Sequence, residues 1–262
     1  MTAWTTDATA SGPGAPKAIV FDCDGLLADT TASWESAFQR AAAELGETLH
    51  AAQLVALRGS SAPAAASTIA SWFGRPEVAL QLSQVLHDGL RQAVTATPPR
   101  AMPGARTIML RLHGRRELAV ASNAPRDVLR ATLAGTGLLG FVDVLVSADD
   151  VAAPKPAPDV YLAACDRLGV LPAEAVALED SDLGASAAVA AGLRTVLVSA
   201  DPAGPMAHRR VTPPAVALRV SSLHDPSLIS LVLPETENEA PLEPAPGSEA
   251  AAGTTRERRC PT

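Results

Sequence analysis

The chain of 262 residues lacks any run of about 18 apolar residues, so the sequence predicts no membrane span. Residues 1–16 lack the basic-then-apolar order of a signal peptide and are predicted to form a disordered arm. Cysteine is scarce. Three widely spaced cysteines do not indicate a disulfide framework or a zinc site, and they favour a reducing cytoplasm. The net charge of −7 gives no support for binding nucleic acid.

Short apolar runs recur along the chain and alternate with helical patterns. The runs lie at 18–21, 118–121, 142–146, 176–178 and 195–198. Runs this short and apolar are typical of central strands in a parallel sheet that is covered on both faces. Helical spacing is seen from Asp159 to Leu168, with Gly169 as the stop, and from Ser181 to Ala191, ending at Gly192. The alternation predicts an α/β fold with a doubly wound parallel sheet.

One long segment interrupts this alternation. Residues 32–100 contain amphipathic helical stripes and no convincing strand, so they are predicted to form a helical cap inserted after the first strand. The α/β core would then comprise residues 17–31 and 101–233. Residues 234–262 are rich in Pro, Glu and Ala, have little to bury, and are predicted to be a disordered acidic tail.

Polar side chains follow four of the predicted strand positions, and these are the candidate functional residues. They are Asp22 with Asp24, Ser122 with Asn123, Lys155, and Glu179 with Asp180. Two ionised acids one residue apart at the end of a buried strand repel each other and lose solvation, which a divalent cation would offset. Carboxylates from Asp22, Glu179 and Asp180 would hold a hard cation such as Mg²⁺ through oxygen ligands.

The same elements predict a reaction at phosphorus. Lys155 and the Ser122 hydroxyl would bind the non-bridging oxygens of an anion, which lets a carboxylate approach a phosphate dianion. Asp22 would then attack phosphorus and form an aspartyl-phosphate. Asp24 would protonate the leaving oxygen and later deprotonate the attacking water. Of 21 basic residues only Lys17 and Lys155 are lysines, which favours a need for a compact point charge at Lys155.

Four motifs occur in order over about residues 18–198. They are Asp22-x-Asp24-Gly25, Ser122-Asn123, Lys155-Pro156-x-Pro158-Asp159 and Glu179-Asp180-Ser181-x-x-Gly184. With these motifs the chain resembles a haloacid dehalogenase superfamily hydrolase of the helical-cap subgroup, in the phosphatase and β-phosphoglucomutase-like branch. The resemblance implies a Mg²⁺-dependent phosphatase acting on a small phosphorylated metabolite, such as a sugar phosphate or phosphoglycolate. It also implies that Asp24 contacts Mg²⁺ through its backbone carbonyl.

Two alternatives stay open, a phosphosugar mutase of the β-phosphoglucomutase type and, less favoured, a non-catalytic protein that binds a phosphometabolite. The mutase branch usually carries a cap His, Lys and Arg, and the matching places here hold Trp34, Arg58 and Ala62. Trp34 and Arg58, together with Arg40 and Arg75, are candidate cap contacts to the substrate. Asn123 is open between a structural role and a backbone contact to phosphate. Whether the protein is a monomer or a dimer is also open.

Overall fold

The computed structural model describes residues 15–199 and 216–233. Its β-strands, in chain order, are Ala18–Phe21 (β1), Ala28–Asp29 (β2), Arg100–Ala101 (β3), Glu117–Ala121 (β4), Val144–Val146 (β5), Ala175–Glu179 (β6), Arg194–Val198 (β7) and Leu218–Val220 (β8). Its α-helices are Thr31–Ala43 (α1), Ala51–Ala56 (α2), Ala62–Trp72 (α3), Ala79–Ala96 (α4), Ala105–Leu112 (α5), Arg126–Gly135 (α6), Asp159–Leu168 (α7), Asp182–Ala190 (α8) and Pro226–Val232 (α9).

Six of the strands form one parallel sheet in the order β5-β4-β1-β6-β7-β8. After β1, the chain forms β4 and β5 on one side of that strand. It then forms β6, β7 and β8 on the other side of β1. Ligands of such sheets bind beyond the carboxyl ends of the strands, where the order reverses. This topology confirms the predicted α/β fold, and it makes the carboxyl end of β1 the natural place for a site.

The sheet is buried on both faces because each strand alternates its side chains between two cores. In β1, Ile19 and Phe21 join one apolar cluster, and Ala18 and Val20 join the other. Helices α5, α6 and α9 contribute to the first cluster, and α7 and α8 to the second. A strand that is covered on both sides must be apolar throughout, which explains the continuous runs in the sequence.

Helices α1 to α4 fill the segment between β2 and β3, and residues 30–99, all of them described, include no strand. Strands β2 and β3 pair antiparallel, with Ala28 opposite Ala101 and Asp29 opposite Arg100, so both ends of the insertion meet. Helix α4 packs against α1 and α3 through buried leucines such as Leu86. The boundaries at 32 and 100 stay a prediction.

Several strands differ from the sequence-based predictions, and two predicted segments fall largely or wholly outside the described residues. The short strands β2, β3 and β8 were not predicted, and β5 begins at Val144 rather than at 142. Most of the predicted arm and the whole predicted tail lie outside the described residues. Over the described ranges, no helix has both the length and the apolar character that a bilayer crossing requires.

Candidate active site

The candidate site lies at the carboxyl ends of β1 and β6. Asp22 directly follows β1, and its N–H donates to the carbonyl oxygen of Leu178 at 2.9 Å, so sheet pairing continues to the first acid. Gly25 then turns the chain with a φ of 92°, which a residue with a side chain rarely adopts. A Cβ atom on Gly25 would overlap with the Asp180 carboxylate, so this glycine also leaves room for Asp180.

Lys155 lies between two acids in the interior of the site. Its Nζ atom is 2.5 Å from Asp22 Oδ1 and 2.6 Å from Glu179 Oε1, and the whole residue is 5% exposed. Burial acts to lower the pKa of Lys155, but Asp22 and Glu179 outweigh it and raise that pKa well above its ordinary value. The charged ammonium form is therefore favoured beside the predicted nucleophile.

The backbone of Lys155 is held in place by the side chain of Asn123. Asn123 Oδ1 accepts the Lys155 N–H at 2.8 Å, and Asn123 Nδ2 donates to the Lys155 carbonyl oxygen at 3.1 Å. The same Nδ2 atom donates to the carbonyl oxygen of Gly59, in the helical insertion, at 2.8 Å. These contacts favour a structural role for Asn123. Its side chain links the loop that carries Lys155, called the lysine loop below, to the helical insertion.

Three carboxylates converge beside Lys155, and their chemistry fits a cation. Asp22, Glu179 and Asp180 each offer an oxygen, and these atoms lie within 4.8 Å of one another. Burial raises the pKa of Asp22 well above its ordinary value, and burial together with Glu179 raises the pKa of Asp180 to about 7. One lysine cannot balance three acids, so a divalent cation with oxygen ligands would remove the remaining repulsion.

Glu179 is fully buried and has several hydrogen-bond donors around it. Besides Lys155, it accepts from Tyr161 Oη at 2.5 Å and from Ser181 Oγ at 3.2 Å. Ser181 also accepts from the Gly184 N–H at 3.0 Å and is the N-cap of α8. Tyr161 was not identified as a site residue, because helical spacing alone describes it as a core residue of α7.

The two carboxylate oxygens of Asp24 accept hydrogen bonds from three side chains. Thr30 Oγ1 and Trp34 Nε1 donate to Oδ1 at 2.7 and 3.0 Å, and Ser122 Oγ donates to Oδ2 at 3.0 Å. Ser122 is 0% exposed, so its hydroxyl serves Asp24 in this structure rather than opening to the cavity. Ser122 does not cap α6, because that helix begins after Pro125 without a side-chain cap.

A cavity of about 150 Å³ separates the acids from the helical insertion. The insertion contributes Thr31, Trp34, Glu35, Phe38, Arg58, Gly59 and Ser60 to its lining. Two of the four candidate cap contacts, Trp34 and Arg58, therefore reach the cavity. The other two do not line it, because Arg40 donates to Gln92 and Arg75 pairs with Glu77 elsewhere on the insertion.

Comparison with known proteins agrees with the motifs. A family model described as haloacid dehalogenase-like hydrolase matches residues 16–192. The chain is 31% identical over 186 residues to the fructose-1-phosphate phosphatase YqaB of Escherichia coli, covering 68% of this chain and 94% of that protein. It is 32% identical over 208 residues to a plasmid-encoded phosphoglycolate phosphatase of Cupriavidus necator, covering 72% and 83%.

The fold has close counterparts among solved structures. The crystal structure of CbbY from Rhodobacter sphaeroides in complex with phosphate has a TM-score of 0.65 and 24% identity, and the match covers 79% of this chain and 95% of that one. The match to the family model covers more than half of the chain, and the four motifs stand together at the strand ends. The resemblance is thus confirmed, and the chain belongs to the haloacid dehalogenase-like hydrolases.

Proposed function

We propose that the protein is a Mg²⁺-dependent phosphatase that hydrolyses small phosphate monoesters, sugar phosphates or phosphoglycolate-like compounds, through an aspartyl-phosphate on Asp22. The observation that carries the proposal is the contact of 2.5 Å between Lys155 Nζ and Asp22 Oδ1 inside a buried cluster of acids. A simple structural ion pair needs one acid, whereas Lys155 contacts two, Asp22 and Glu179, and Asp180 lies in the same acidic cluster. The family assignment and the phosphatases among the relatives support the same activity.

The residues that would hold Mg²⁺ are Asp22, Glu179 and Asp180 through carboxylates. The family resemblance adds the backbone carbonyl of Asp24. When bound, the ion would supply positive charge to the phosphoryl oxygens and offset the repulsion among the acids. The Asp24 carboxylate is not one of the three clustered carboxylates, and it accepts hydrogen bonds from Thr30, Trp34 and Ser122. We assign that carboxylate to proton transfer rather than to metal binding.

In the first step, an Asp22 oxygen attacks phosphorus while the bond from phosphorus to the leaving oxygen breaks. Asp24 donates its proton to that oxygen, and the alcohol departs. In the second step, Asp24 takes a proton from water, the water oxygen attacks phosphorus, and the Asp22 carboxylate leaves with inorganic phosphate released. Lys155 lowers the repulsion between Asp22 and the phosphate dianion in both steps.

The helical insertion closes the site on the side of the leaving group. Trp34 and Arg58 line the cavity there, and the Asn123 bond to Gly59 ties the insertion to the lysine loop. A cavity of about 150 Å³ leaves room for a small metabolite rather than a protein or a nucleic acid. Exclusion of water also strengthens the interaction of Lys155 with the phosphoryl group.

Phosphate release from a panel of cellular phosphate esters, and from p-nitrophenyl phosphate, tests the proposal. We expect release that requires Mg²⁺, stops with a chelator, and is absent in Asp22→Asn. Chromatography of the sugar phosphates would detect a mutase, which forms an isomer without net release of phosphate. Absence of release from every ester in the presence of Mg²⁺ would contradict the proposal and favour a binding protein.

The two lysines of the chain provide a matched pair of variants. Lys155→Met should abolish phosphate release, since the buried positive charge beside Asp22 is lost. Lys17→Met removes an equal charge from an exposed pair with Glu174 and should leave the activity unchanged. Circular dichroism of both variants checks that they are folded. Equal activity in the two variants would show that Lys155 has no role in the reaction.

A further inference from the structure

We infer that the ion pair between Glu35 and Arg58 selects substrates whose leaving group is a neutral polyol, such as a sugar monophosphate, over those whose leaving group bears a second negative charge. The inference rests on the proposed function and narrows its substrate class. It matters because relatives named for a sugar phosphate and for phosphoglycolate are about equally similar to this chain. Similarity alone therefore does not choose between the two classes.

Few positive charges line the cavity. Of the described residues that line the cavity, Lys155 and Arg58 are the cationic ones. Lys155 is bound by Asp22 and Glu179 on the side of the phosphoryl group. Arg58 is thus the one described cation of the lining that could meet a negative charge on the leaving group.

Arg58 is not available as a net positive charge, because Glu35 lies beside it. Arg58 Nη2 is 3.1 Å from Glu35 Oε1, and both residues line the cavity. An anion that bound the Arg58 guanidinium would lie near the Glu35 carboxylate as well, since the two groups are 3.1 Å apart. Repulsion by Glu35 would then offset part of the attraction between Arg58 and that anion.

The remaining lining of the insertion suits a carbon skeleton that carries hydroxyl groups. Trp34 and Phe38 present aromatic rings whose centroids are 5.5 Å apart, and Thr31 and Ser60 add hydroxyls. Glu35 and Arg58 supply an acceptor and donors to neutral hydroxyl groups without a net charge. A second negative charge would lose water on entering this cavity and gain little net counter-charge in return.

The test compares kcat/KM for fructose 1-phosphate, 2-phosphoglycolate and fructose 1,6-bisphosphate. The unmodified protein should favour the first ester by about tenfold or more over the other two. Glu35→Gln removes the negative partner, leaves Arg58 uncompensated, and should raise the relative kcat/KM for 2-phosphoglycolate by about tenfold. The double variant Glu35→Gln, Arg58→Gln should return the ratio toward that of the unmodified protein.

Glu77→Gln is the matched control, since it removes another carboxylate of the insertion that pairs with an arginine, Arg75, at 2.8 Å. Glu77 does not line the cavity, so its variant should keep the ratio of the unmodified protein. Equal use of neutral and anionic esters, or a ratio unmoved by Glu35→Gln, would overturn the inference and leave the phosphatase proposal standing. Failure to hydrolyse any ester, p-nitrophenyl phosphate included, would overturn both.

Discussion

Replacement of Gly184 by alanine tests the geometry of the site most sharply, because two physical effects predict opposite signs. Gly184 lies within α8, where alanine is intrinsically favoured over glycine by about 1 kcal/mol. A Cβ atom at this position would, however, overlap with the carboxylate of Glu179. Helix propensity predicts a more stable protein, and the overlap predicts a less stable one.

The overlap should win, because the Glu179 carboxylate has nowhere to move. It is 0% exposed, and its oxygens accept hydrogen bonds from Lys155, Tyr161 and Ser181. Displacing it would separate a buried ion pair, which costs about 3–5 kcal/mol. After subtraction of the helix gain, Gly184→Ala should lower the free energy of unfolding by about 2–4 kcal/mol. It should also reduce phosphate release, since Lys155 loses one of its two partners.

Urea unfolding followed by tryptophan fluorescence measures this effect, and the midpoint should fall by about 1 M. Gly89→Ala in α4 is the control, because its Cβ atom would lie 3.5 Å from the Cβ of Ala37, an ordinary contact. The control should be neutral or more stable by up to about 1 kcal/mol. A Gly184→Ala protein as stable as the unmodified one would refute the reasoning about Glu179.

Three further predictions concern ions and hydrogen bonds. Mg²⁺ at ten times its Kd should stabilise the metal-free protein by about 1.4 kcal/mol in thermal unfolding, and Asp180→Asn should diminish that gain. Tyr161→Phe should cost about 1–3 kcal/mol in urea unfolding, because buried Glu179 loses a donor at 2.5 Å. Burial acts to raise the pKa of Asp150, but hydrogen bonds from two arginines and Ser147 hold that pKa well below its ordinary value. The stabilisation by Asp150 is therefore complete above the unfolded-state pKa of about 4 and declines as the pH falls. Asp150→Asn should destabilise at pH 7 and progressively less towards pH 3, and an equal loss at both pH values would contradict this assignment.

Much of the sheet could be predicted because buried parallel strands consist of consecutive apolar residues. Strands β1, β4, β6 and β7 each contain such a run. Strand β8 could not be found in this way, since Leu218–Val220 is three residues long and includes an arginine. It is a strand because the backbone of β7 offers it hydrogen bonds, and that is a property of the neighbour.

The approximate membership of the site was predictable for a related reason. Parallel strands end at one edge of a sheet, so polar residues that follow buried runs must gather there. This places Asp22 and Asp180 near one another before any coordinates are known, whereas Lys155 lies in a loop well beyond β5 and is placed by its motif. The partners of each atom were not predictable, and Ser122 shows the difference, because its hydroxyl donates to Asp24 and lies outside the cavity lining.

The chain's order of residues by itself determined the fold class, the family and the set of reactive groups, since each depends on local patterns and on spacing along the chain. Tertiary structure alone decided which groups touch, including the contacts of Tyr161 with Glu179, of Asn123 with Gly59, and of Glu35 with Arg58. These pairs are 18, 64 and 23 residues apart, and no periodic pattern relates them. Hydrogen bonds and ion pairs depend on separations of a few ångströms, which only the packing of the insertion against the sheet can set.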